Sequence, residues 1–193
     1  MSNWMRRGAV ATSLTLLLGS LAACSGGGDD KGQDEPTGDD ARAAAIETTA
    51  RVGQVRGRLR PPQRRALLAE VGPVVDGWID AAHVAGEWPR VIGDEAWSGF
   101  TPGAAALATK QSALTSAAEI SEDVESVTAT RRVVRYDVFA AGGKPQGVTA
   151  RVVLDYDTTG EVEKRVKVRG RLSLTPTKNG WKIFGFDLTE SER

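Results

Sequence analysis

Residues 148–188 read VTARVVLDYDTTGEVEKRVKVRGRLSLTPTKNGWKIFGFDL, and their reading decides the fold. Val148, Ala150, Val152, Leu154 and Tyr156 alternate with polar residues, as do Val166, Val168, Gly170, Leu172 and Leu174. A period of two puts each apolar set on one face of a strand. Lys178-Asn179-Gly180 separates the second set from Trp181–Leu188, and Asn-Gly between such runs is a strong hairpin signal. Working outward, 126–140 adds a strand, joined to 146–157 through Gly142-Gly143. Four runs, about 126–140, 146–157, 162–175 and 181–188, with short connections, predict a four-stranded antiparallel meander.

Upstream the period changes. Pro61-Pro62 opens a helix, because proline in the first turn lacks only an N–H that would be unpaired anyway. Gly72-Pro73 is expected to kink it. At about 100° per residue, Leu67, Val71, Val74, Val75, Trp78, Ala82 and Ala85 share one side. Asp76, Asp80, His83 and Glu87 fall opposite Trp78, so His83 is expected to face solvent. A second helix is expected from Thr101-Pro102 to about Ala118. Residues 46–60 read as either a frayed helix or a leading strand, and the alternation of Val55, Gly57 and Leu59 with Arg56, Arg58 and Arg60 leans to the strand. Helices followed by an antiparallel sheet with one apolar face predict an α+β domain over residues 46–193.

This layout resembles the nuclear transport factor two-like superfamily over residues 62–188, most of all in the final hairpin LSLTPTKNGWKIFGFDL. The resemblance implies helices lying across a curved sheet and closing a cone. A cystatin-like wrap of a sheet around one helix reads almost the same. The superfamily holds both enzymes and non-catalytic binding modules, so fold alone does not choose between them.

The N-terminus is more specific. Arg6 and Arg7 precede an uncharged run, Ala9–Ala23, that as a helix would be roughly 22 Å long, short of a bilayer core. That is the length of a signal peptide. Leu21-Ala22-Ala23-Cys24 resembles the lipobox of bacterial lipoproteins, of a kind found in actinobacteria. The resemblance implies cleavage after residue 23 and a diacylglyceryl group on Cys24. Residues 24–45 follow as a tether, in which 25–41 hold six acids and one lysine. Such a composition cannot bury enough apolar surface to order itself. Cys24 is the only cysteine, so the exported domain is expected to stand without a disulfide. The expected location is the extracytoplasmic face of the cell membrane, held by the lipid.

Catalytic signatures are missing: no Gly-x-Gly-x-x-Gly, Gly-x-Ser-x-Gly, Ser-x-x-Lys or His-Glu-x-x-His occurs. Asp76, Asp80 and His83 read as a solvated stripe, so no catalytic residue, metal or cofactor is assigned. Charge offers more. Residues 126–188 hold twelve basic and six acidic side chains. Arg165, Lys167, Arg169 and Arg171 share the outward face of one strand, and Arg151, Arg131 and Arg135 alternate compatibly. Two readings stay open: a solvated face that resists aggregation, or a surface for an anionic lipid, a wall polymer or an acidic envelope protein. The acidic tether could also cover that face. Nucleic acid is not an expected partner. Trp78, Trp97, Phe100, Tyr136 and Trp181 form either plain core or the lining of a cone pocket. The sequence thus points to a lipid-anchored binding or scaffolding domain. The alternatives are a small cone-pocket enzyme of isomerase, dehydratase or cyclase type, or a carrier of a small apolar ligand.

Overall fold

The computed structural model describes residues 46–192. The signal peptide, the lipobox, Cys24 and the tether lie outside the described residues.

The domain is α+β. Its sheet runs β1 (Thr49–Arg56), β2 (Val124–Ala141), β3 (Lys144–Gly160), β4 (Arg165–Thr177) and β5 (Gly180–Glu192), in that spatial order. The antiparallel meander of β2 to β5 matches the hairpin signals. The expected four-stranded sheet is corrected to five strands of mixed sense, because β1 adds to β2 in parallel. A parallel neighbour needs a long crossover, which the helical segment between β1 and β2 supplies. The third expected strand starts at Arg165 rather than residue 162, since residues 161–164 turn back through bonds to Thr158.

The helix α1 (Pro61–Ile79) begins with two prolines. The Gln63 carbonyl accepts from the Arg60 N–H at 2.8 Å, and its amide donates to Gly143 O at 2.7 Å. One side chain therefore covers an orphan N–H at the helix start and docks it on the β2–β3 turn. The helix runs unbroken through Pro73, which is exposed. A π-turn, Asp80–Val84, then extends it. After a 3₁₀ turn (Asp94–Trp97), the expected second helix is split into α2 (Pro102–Lys110) and α3 (Ser112–Thr115), ending short of Ala118.

The inner face of the sheet carries Val134, Tyr136, Ala150, Leu154, Tyr156, Val168, Leu172 and Leu174, all buried, as their alternation required. The helices supply Leu67, Val71, Val75, Trp78 and Ile79 to the same core. The Trp78 indole N–H donates to Thr115 O at 2.9 Å, tying α1 to α3. Gly170 is needed where β5 crosses close to β4: its φ is +147°, and a Cβ there would lie 2.1 Å from Asp187 O. A bulge at Ser173/Leu174 bends the same strand pair. Among the described residues, no helix is long and apolar enough to cross a membrane.

Candidate functional site

The outer face of the sheet gathers the predicted basic residues. Register places Arg51, Arg135, Arg151 and Arg171 opposite one another on β1, β2, β3 and β4, with Asp187 next on β5. At a strand spacing of about 4.8 Å, four arginines cross roughly 14 Å of sheet. Arg131, Arg165, Lys167 and Arg169 stand on the same face in neighbouring rows.

Aspartates answer part of this charge. Asp137 takes Arg151 Nε at 2.7 Å and the Gln54 N–H at 2.9 Å, with Arg135 Nε 3.4 Å away. Burial works against the Asp137 carboxylate, but these donors outweigh it and hold its carboxyl below the ordinary range. Gly53 makes the arrangement possible, since a Cβ there would lie 2.3 Å from Asp137 Oδ1 and 2.8 Å from Arg135 Cγ. Asp157 bonds Arg165 at 2.8 Å, which lowers the carboxyl of the one and raises the guanidinium of the other. Asp155 pairs with Arg169, and Asp187 with Arg171. Arg169 also donates to the carbonyls of Leu154 and Val168. Eight cations thus meet four aspartates. Among the described residues Arg51, Arg131 and Lys167 make no ion pair.

All five aromatic residues considered for a pocket, Trp78, Trp97, Phe100, Tyr136 and Trp181, are buried in the core cluster. Trp181 reaches a shallow surface depression beside Glu70, whose carboxylate accepts its indole N–H at 3.0 Å.

His83 requires a correction. It is fully buried, 0% exposed, rather than facing solvent. The π-turn is the cause: Ala85 N–H bonds Asp80 O, five residues back, at 2.8 Å. A turn of that kind advances less than 100° per residue. His83 therefore swings toward Trp78, whose ring it meets edge-on at 5.2 Å, with the Tyr156 ring 6.0 Å away. Burial, with the Arg90 charge adding to it, pushes the imidazole down to about 3. The rest of the expected stripe is not simply solvated either. Asp80 bonds Arg132 at 2.6 Å and Asp76 lies 3.6 Å from it; Arg132 is itself only 7% exposed on the inner face.

At the same end of the inner face, register aligns Arg132, Leu154, Val168 and Glu190, one row from Tyr156. Burial, with Glu192 and Glu119 nearby, pushes the Glu190 carboxyl up to about 7. Burial raises both Tyr136 and Tyr156. Both imidazole nitrogens, both tyrosine hydroxyls and the Trp97 indole nitrogen lack a hydrogen-bond partner among the described residues. Among those residues no group of three or more His, Cys, Asp or Glu side chains could hold a metal ion.

Sequence reasoning missed Arg51, Arg132 and Glu190. Alternation marks Glu190 as inward, two residues beyond Leu188. Nothing local marks Arg51, whose place depends on the parallel register of β1. No family model, curated protein or solved structure matches the chain.

Proposed function

We propose that the chain is a lipid-anchored protein of the extracytoplasmic face of the cell membrane, with a non-catalytic binding domain. On this reading residues 1–23 are a cleaved signal peptide, Cys24 carries the lipid and residues 24–45 are the tether. The domain is a cone of the nuclear transport factor two-like kind, a reading supported by α1 packed over one face of a sheet whose β4–β5 pair carries a bulge at Ser173/Leu174. Burial of the five pocket-candidate aromatics within the core supports a binding module over a carrier or a cone-pocket enzyme.

The observation that carries the binding reading is the row Arg51, Arg135, Arg151 and Arg171. Like charges directly opposite in a sheet destabilise it. Solubility alone is satisfied by alternating signs, whereas this row sets four arginines side by side with only Asp137 and Asp187 to pair them. Its ligand is anionic, and guanidinium forks suit carboxylate or phosphate.

Two experiments test the reading. Cys24→Ser should move the protein from the detergent phase to the aqueous phase, and unchanged partitioning defeats the anchor. That soluble variant should co-sediment with anionic vesicles or anionic wall polymer at low ionic strength, less so as salt rises. Adding Arg151→Gln with Arg171→Gln should abolish most of the binding. No binding at low salt leaves the row without a ligand.

A further inference from the structure

Two shallow depressions cross the outer face of the sheet and meet at Thr149. One is lined by Gln54, Arg56, Asp137 and Phe139, the other by Arg171, Ser173, Gly185 and Asp187. Together they form a groove beside the arginine row, running across the strands rather than along them. Its floor is made of small residues, because Thr149 pairs with Ser173 and Ser173 with Gly185. Two exposed phenylalanines border it: Phe139 is part of its lining on β2, and Phe184 directly precedes the lining residue Gly185 on β5. Phe139 on β2 is 56% exposed, and Phe184, at the β4–β5 bulge next to Gly185, is 54% exposed. Three strand intervals separate them, about 14 Å.

We propose that this groove binds a linear polysaccharide bearing carboxylate groups, a polyuronate-like chain. The proposal rests on the anionic-ligand reading above and names the ligand's chemistry. A sugar ring has apolar C–H faces and a rim of hydroxyls. Phe139 and Phe184 offer flat apolar contact to the former. The hydroxyls of Thr149 and Ser173 and the carboxylate of Asp187 exchange hydrogen bonds with the latter. Arg56 pairs with a carboxylate of the chain, Arg171 does so in exchange for its exposed contact with Asp187, and the lining carboxylate of Asp137 is already held by Arg151 and Arg135. An extended peptide would need free backbone groups to add to a sheet, whereas β3 and β4 are interior strands paired on both sides. A flat membrane meets the rim of such a groove and not its floor.

The test uses the full chain with Cys24→Ser, titrated calorimetrically at low salt with polygalacturonate, polyglutamate and vesicles containing phosphatidylglycerol. The variant Phe139→Ser with Phe184→Ser alters only exposed side chains, and circular dichroism checks its fold. Affinity for polygalacturonate should fall by about tenfold or more, as for aromatic anchors elsewhere, while the other two probes change little. An equal loss for polyglutamate overturns the saccharide in favour of an acidic peptide, and an equal loss for vesicles overturns it in favour of membrane insertion. Unchanged polygalacturonate binding overturns the groove; if Arg151→Gln with Arg171→Gln still abolishes it, the anionic-ligand reading survives. Absence of binding to every probe overturns both.

Discussion

The two faces of this sheet share their strands, yet they treat polar atoms in opposite ways. On the outer face Asp137, Asp155, Asp157 and Asp187 each hold an arginine, and for Asp157 and Asp187 water is at hand as well. On the inner face, His83, Tyr136 and Tyr156 are buried with nitrogens or hydroxyls that no described residue bonds. The lesson concerns energy rather than appearance. An exposed ion pair contributes little, because water competes for both charges. A buried unpaired donor or acceptor carries its full desolvation cost. Stability therefore rests on the inner face far more than on the outer one.

The largest effect that sharpens this contrast is Trp78→Ala. Trp78 lies in the core and bonds Thr115 O, so its truncation should cost about 3–5 kcal/mol in urea melts. A loss near zero would mean the inner face does not hold the domain together.

Next comes the pH response of His83. In the unfolded chain its imidazole titrates near 6.5, in the folded protein near about 3. Between those values the unfolded chain binds the extra proton, so stability falls as pH drops from 6.5 toward 3, by up to roughly 4 kcal/mol. His83→Leu, similar in volume and without a nitrogen to desolvate, should remove that slope while keeping stability at pH 7. Melts at pH 7, 5 and 4 decide it; a variant as acid-sensitive as the parent would place the charge burden elsewhere.

Glu190 should act with the opposite sign and less strongly, being partly exposed. Its folded value, about 7, lies above the unfolded 4.5. The folded protein holds this proton more tightly, so stability is lost as pH rises from 4.5 through 7. Glu190→Gln should match the parent below pH 4.5 and exceed it above pH 7. The smallest effect belongs to the outer face: Asp187→Asn, which breaks an exposed pair with Arg171, should shift stability by no more than about 0.5 kcal/mol. A loss larger than the parent's own fall in stability between pH 7 and pH 4 would collapse the contrast between the faces.

Alternation made most of the sheet legible, because a period of two survives whatever packs against it. Val148 to Tyr156 and Val166 to Leu174 take the faces their sequence assigns. The helix was legible through Ala82, which is buried as its phase requires, but not at His83, which is buried, or at Ala85, which is exposed. A fixed 100° step places His83 in solvent, and only the Asp80–Ala85 hydrogen bond, invisible in composition, turns it inward. The basic face was legible in part. Arg165, Lys167, Arg169 and Arg171 stand out as a row along one strand, but the denser row across strands, which enlists Arg51, arises from pairings over long sequence separations. The groove between Phe139 and Phe184 is likewise a product of register.

The edge strand β1 has a mechanical consequence. A pull on its N-terminal end first meets Thr48, whose hydroxyl donates to Asp76 at 2.6 Å and accepts from Arg132 at 3.1 Å, and then the ladder at Thr49. The ladder it meets is divided: Thr49 to Val52 pair with Val133 to Tyr136, and after an irregularity Val55 and Arg56 pair with Val138 and Phe139. A load directed along the strand shears the first block as a unit; a load directed away from the sheet opens it one rung at a time. The irregularity acts as a stop between the two blocks. Tension on the N-terminal end would thus detach the first half of β1 before it reached Arg56 and the groove beside Phe139.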